Sequence, residues 1–91
     1  MRNFEADSED QAARDIEVFL RERFQIADDD TVFSRRVNLF NEGYVDSVGV
    51  IEMIAFLEDR FRVKLPEDVV FSADFTNIAG IARYVVRLRA G

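Results

Sequence analysis

Ser47 is the residue best placed to do chemistry. It follows Asp46 where a long connection gives way to an apolar run starting at Val48. The sequence therefore puts its hydroxyl on the first turn of a helix. Backbone N–H groups there have no intrahelical partner, and the positive end of the helix dipole faces outward. A phosphate esterified to that hydroxyl would be favoured by both, so the position suits a permanent phosphodiester. A plainer role competes: Asp and Ser are both preferred helix caps, and most such pairs before an apolar helix are caps and nothing more.

Little else in the chain can react. It has no His and no Cys. That removes the usual general base, the commonest metal ligand, any thiolate nucleophile or thiolate metal site, and disulfides. Lys64 is the only lysine. A hydrolytic triad of the usual kind cannot be assembled, and Asp46 and Glu52 are not at a spacing that pairs carboxylates on one helix face. The run Asp28-Asp29-Asp30 invites a calcium reading. An EF-hand loop needs oxygen ligands at alternate positions and Gly at the sixth, whereas Val32 and Phe33 hold the fifth and sixth. A solvated acidic turn is expected instead, no metal ligand is assigned, and the chain is not expected to be an enzyme.

The elements that must position Ser47 are legible as helices. Ser8-Glu9-Asp10-Gln11 fits a capping box, and Ala13, Ile16, Phe19, Leu20 and Phe24 recur at spacings of three and four behind it. This predicts a first helix over Glu9 to Phe24, with residues 1–7 a flexible N-terminus. A long connection runs from Gln25 to about Asp46. Gly43 marks a turn within it by its freedom to take positive φ, while Val37, Leu39, Phe40, Tyr44 and Val45 should pin the connection to the core. The second helix should run from Ser47 to about Phe61, with Val50, Met53, Ile54, Leu57 and Phe61 inward. Pro66-Glu67-Asp68 should open a short helix. Thr76 should cap a last helix whose buried stripe is Ile78, Ile81, Ala82, Val85 and Leu88. Gly80 costs about 1 kcal/mol against Ala inside a helix, so it marks close packing. The expected fold is all-α: one domain over residues 1–91, a small antiparallel bundle of three main helices plus one short helix, with a long loop between helices 1 and 2.

The order of these pieces resembles the carrier protein family of acyl, peptidyl and D-alanyl carriers. The family's attachment motif, Asp-Ser-Leu, reads Asp46-Ser47-Val48 here. The spacing of Leu39, Phe40, Gly43, Asp46 and Ser47 looks like the stand-alone D-alanyl or aminoacyl branch. Glu52 to Phe61 looks like the family's second helix, Val63-x-Leu65-Pro66-Glu67-Asp68 like the start of its short third helix, and Phe75-Thr76-Asn77-Ile78 like the start of its fourth. Val48 stands for the usual Leu. Gly49 lies where fatty-acid carriers often have Asp and the D-alanyl branch often has Gly. Arg60, Arg62 and Lys64 interrupt a surface that is commonly more uniformly acidic.

The resemblance implies a 4'-phosphopantetheine arm on Ser47, moved from coenzyme A by a phosphopantetheinyl transferase that uses magnesium, with Asp46 assisting the transferase and its metal. The arm's thiol would hold acyl or aminoacyl cargo as a thioester, loaded by a ligase and delivered to a downstream synthase or transferase. Aminoacyl, hydroxyacyl, fatty acyl and polyketide cargo all stay open. The competing reading is a helical interaction module with no prosthetic group.

Helix geometry adds a docking surface. With the apolar stripe turned inward, Val48, Ile51 and Ala55 should lie near the surface beside Ser47, framed by Glu52, Glu58 and Asp59. The formal net charge of −6 among 33% charged residues disfavours nucleic acid and favours partners with basic patches. The composition is 48% hydrophobic, with nine Phe, too apolar for a disordered tail. The first residues lack the apolar core of a signal peptide, and no run approaches a membrane span. A cytoplasmic monomer is the resulting expectation.

Overall fold

The computed structural model describes residues 4–90, with side chains from residue 8. Three helices dominate: α1 over Phe4–Arg23, α2 over Ser47–Phe61 and α3 over Ile78–Ala90. Two 3₁₀ turns, Val69–Phe71 and Ala73–Thr76, lie between α2 and α3. Among the described residues there is no strand, and no helix is long and apolar enough to cross a membrane.

α1 begins a turn earlier than its sequence signal. Ser8 lies inside the helix, so the expected capping box does not form. The flexible segment expected over residues 1–7 lies partly outside the described residues, and residues 4–7 belong to α1. The other end closes by a Schellman motif. Gln25 takes φ +54°, and Ile26 N–H donates to the Arg21 carbonyl at 3.1 Å, which satisfies a terminal carbonyl.

The core gathers one stripe from each helix. Ala12, Ala13, Ile16 and Leu20 come from α1, Met53, Leu57 and Phe61 from α2, and Ile78, Ile81, Ala82, Val85 and Val86 from α3, all buried. Val50 and Ile54 are only half-buried, at the margins of the α2 stripe. Leu88 is exposed and Val86 takes its place, one turn beyond Ala82, so the α3 stripe bends toward that side. α1 and α3 lie along one another, whereas α2 is tied to α1 by large side chains. Phe19 stacks on Phe56 with centroids 4.1 Å apart, and Phe24 meets Phe19 edge-on. Such pairs add about 0.5–1.5 kcal/mol beyond the area they bury.

The segment after α2 is tighter than a short α-helix. Val69 N–H donates to Pro66 at 3.1 Å, so the proline does open a turn. Ser72 is extended (φ −71°, ψ 138°), however, and splits the segment into two 3₁₀ pieces. The cap of α3 is Asn77, whose Oδ1 accepts from Gly80 N–H at 2.7 Å; Thr76 donates to the Ala73 carbonyl instead. Gly80 marks close packing as its sequence context implied. A Cβ there would sit 2.9 Å from the carbonyl carbon of Asp74 and overlap its oxygen.

Candidate functional site

Ser47 is the first residue of α2 and is exposed. The cap is Asp46, not Ser47: Asp46 is extended, and its Oδ1 accepts from Gly49 N–H at 2.7 Å. Of the two candidate caps, the aspartate is the one that closes the helix start. The carboxylate stabilises the helix start, and the serine hydroxyl has no hydrogen bond among the described residues. Ser47 and Val48 N–H likewise have no protein acceptor there, so the helix start keeps donors for an oxyanion. A groove of about 420 Å³ opens beside the hydroxyl, walled by Phe40, Val45, Asp46, Ser47, Val50 and Val70. Its walls are mostly apolar.

The connection that brings the chain to Ser47 is anchored, as its apolar residues predict. Leu39 and Val45 are buried, with Val37, Phe40 and Tyr44 packed against the core. Gly43 has φ +78°, and Tyr44 and Val45 N–H both return to the Leu39 carbonyl at 2.9 and 3.1 Å. Two backbone bonds fix the connection to the far end of the chain: Leu39 N–H to Thr76 and Ala79 N–H to Arg35, each 2.9 Å.

Asp30 does more than solvate an acidic turn. Its carboxylate accepts from Val32 N–H at 2.8 Å, Phe33 N–H at 3.0 Å and the Tyr44 hydroxyl at 2.9 Å. These bonds, that of Phe33 foremost, hold its carboxyl below the usual Asp range. Burial, and then the carboxylate it faces, push the Tyr44 hydroxyl up. The staple joins the start of the connection to the residue two before Asp46. Its local part, an Asp accepting from N–H groups two and three residues on, is a recurrent turn pattern that the sequence does carry; the Tyr44 half depends on tertiary approach. Among the described residues no group of His, Cys, Asp and Glu is placed to hold a metal ion.

Gly49 has a physical reason to lack a side chain. A Cβ there would stand 2.8 and 2.9 Å from ring atoms of Phe24 and 3.2 Å from Asp46 Oδ1. The glycine lets the end of α1 close on the start of α2.

The residues expected to form a docking surface divide in two. Val48, Ile51, Ala55 and Asp59 are exposed on the side of α2 turned away from the core, with Ser47 at its head. Glu52 and Glu58 are on the flanks and engaged: Glu52 pairs with Arg23 of α1, and Glu58 accepts from Leu65 N–H at 2.9 Å. The most exposed large apolar residue, which sequence reasoning missed, is Phe71, on the first 3₁₀ turn and 86% exposed. Helical periodicity carries no signal for a three-residue turn.

The chain was compared with known families and proteins. The family model described as the phosphopantetheine attachment site matches residues 16–85, a span that takes in α1 from Ile16 onward, all of α2 with the Asp46-Ser47 junction, and the first two turns of α3. No curated protein matches the chain.

Proposed function

The chain belongs to the phosphopantetheine attachment-site family, and on that premise we propose that Ser47 bears the arm and that the protein holds acyl or aminoacyl intermediates on it as thioesters for delivery to biosynthetic enzymes. Membership implies a carrier with a covalent 4'-phosphopantetheine group. The choice of Ser47 rests on one observation: an exposed hydroxyl at the first residue of α2, directly after a carboxylate that already caps the helix.

The residues divide the work. Asp46 fixes the helix start through Oδ1 and leaves its other oxygen for a transferase and its metal. Ser47 offers its hydroxyl to the phosphorus of coenzyme A that carries the pantetheine. A new P–O bond forms, the diphosphate link to the nucleotide breaks, and the serine proton is taken up by the transferase. The free N–H groups of the first turn would hold the phosphate once it is attached. When bound, the arm supplies the thiol that the cysteine-free chain lacks. The groove beside Ser47 gives an apolar cargo walls of Phe40, Val45, Val50 and Val70. On this reading the chain is not itself an enzyme, it is one carrier domain, and the ligase, synthase or transferase that loads and unloads it does the bond chemistry. We place it with the stand-alone D-alanyl or aminoacyl branch on the spacing of Leu39, Phe40, Gly43, Asp46 and Ser47.

The test is intact mass after incubation with a phosphopantetheinyl transferase, magnesium and coenzyme A. Wild type should gain one phosphopantetheine and Ser47→Ala none. Equal gain by both moves the arm to another residue. No gain by either favours an interaction module without a prosthetic group.

A further inference from the structure

The residues that lead into α2 are held unevenly. Asp46 stands outside the helix, extended at φ −102° and ψ −174°, so what precedes it also sets its direction. A loose point lies just upstream. Gly43 has φ +78°, and a Cβ there would meet no atom within 4 Å. Glycine crosses between backbone conformations at little steric cost. Gly43 to Asp46 is thus a short lever, hinged at one end and leading to Ser47 at the other.

Val45 is buried and pins the lever on its inner side. Tyr44 is half-buried and borders a hollow of about 200 Å³ that Asp46, Gly49 and Glu52 also line. A ring beside open space keeps one rotamer only where contacts choose it. Two contacts choose here. The ring meets Phe33 edge-on with centroids 5.1 Å apart, and the hydroxyl donates to the Asp30 carboxylate, 3.0 and 2.9 Å from its two oxygens. The far side is firm. Phe33 is buried, the Arg21 guanidinium lies 4.7 Å from its ring centroid, and Asp30 is held by the Val32 and Phe33 N–H groups. A hydrogen bond to a charged acceptor is about twice as strong as a neutral one, and this one joins a fixed base to a hinged lever.

Resting on the carrier reading, we propose that Asp30 and Tyr44 are positioning residues for arm transfer, setting through Asp46 the direction in which Ser47 is offered. Neither side chain reacts. Their bond keeps Tyr44 out of the hollow and holds the serine hydroxyl and the free oxygen of Asp46 in one relation to each other. Group transfer is sensitive to that relation, since a misplacement of about 1 Å costs on the order of a hundredfold in rate. Asp30, the last acid of the Asp28-Asp29-Asp30 run, thereby serves a site far along the chain.

The experiment measures kcat and KM for arm transfer to the whole chain by a phosphopantetheinyl transferase, with melting temperatures alongside. Tyr44→Phe keeps the ring and removes the hydroxyl. Its kcat should fall roughly tenfold as the lever is released, with KM within about twofold of wild type. Asp30→Asn is the conservative rescue. Its amide oxygen can accept at the Oδ1 position from Val32, Phe33 and Tyr44 as the aspartate does, so its kcat should stay within about threefold of wild type. Asp30→Ala should be at least as slow as Tyr44→Phe, and the double variant no slower than Asp30→Ala alone, because both changes remove one bond. All rates are taken well below every melting temperature, where almost no chain is unfolded and lost stability alone moves none of them. A wild-type kcat for Tyr44→Phe, a loss confined to KM, or losses that add in the double variant overturns the proposal. Absence of any mass gain in wild type refutes the carrier reading instead, so the two failures are distinct.

Discussion

Substituting Asp46 by Ala and by Asn perturbs the start of α2 in two different ways. Ala removes the acceptor that holds Gly49 N–H at 2.7 Å. Asn keeps an acceptor there and removes only the charge. Loss of a helix cap costs about 0.5–2 kcal/mol, most often near 1. The charge adds roughly 0.3 kcal/mol at an exposed helix start. For a domain of this size each kcal/mol lost moves the melting temperature by about 4–8 °C. Asp46→Ala should therefore melt roughly 4–8 °C below wild type, and Asp46→Asn within about 2 °C of it. Urea unfolding followed by circular dichroism gives the same comparison as free energies. Arm transfer supplies the second axis. If the carboxylate also helps a transferase hold its metal, both variants should be slowed about 10- to 100-fold, the usual effect of losing a carboxylate beside a metal site. Equal stability of Ala and Asn would refute the cap. Transfer to Asp46→Asn at the wild-type rate would show that the cap is all Asp46 supplies.

Three further outcomes are expected. Gly80→Ala gains about 1 kcal/mol of helix propensity but drives a methyl into the Asp74 backbone, where overpacking costs about 1–3 kcal/mol or more; a urea midpoint at or above wild type would mean that the backbone yields. Leu39→Ala should lose about 2–5 kcal/mol because Leu39 is fully buried, and Phe40→Ala less than the full-burial figure because its ring is only half-buried; the reverse order would place the anchor on Phe40. Asp30 has a folded pKa below its ordinary value, so the stability it lends is present above the unfolded Asp pKa of about 3.9 and is lost as pH falls through the lower folded value. Asp30→Asn should therefore lose stability less steeply than wild type on acidification, and parallel acid limbs would show that the staple does not hold.

The helices were legible because apolar spacing reports which side of a helix is covered. Met53, Leu57 and Phe61 inside, with Val48, Ile51 and Ala55 outside, follow from 3.6-residue periodicity alone. Caps were read less well. Ser8 and Thr76 have the right chemistry for an N-cap, yet α1 starts before the first, and Asn77 takes the place of the second. Several Ser, Thr, Asn and Asp residues compete at each helix start, and backbone geometry chooses among them. Ser47 was placed by motif and helix start together, but its freedom from capping could not be read, since Asp46 and Ser47 are equally good caps on paper. The engagement of Glu52 with Arg23 and of Asp30 with Tyr44 is long-range, and nothing in local spacing announces it.

The two backbone bonds that hold the long connection reach forward along the chain, from Leu39 to Thr76 and from Arg35 to Ala79. Taken as events in time, they tie the presentation of Ser47 to residues synthesised well after it. α1 and α2 can wind as they are made, because their bonds are local and form fast. Closing the span from Leu39 to Thr76 costs chain entropy that only the later contacts offset. Until α3 arrives, Leu39 has no finished core to enter, and the approach to Ser47 is unsecured at both bonds. A nascent chain cut short of Thr76 should thus have a helical α2 but an open connection before it. On the proposed assignment, arm transfer to Ser47 would then be a late event, one that follows the folding of the whole bundle.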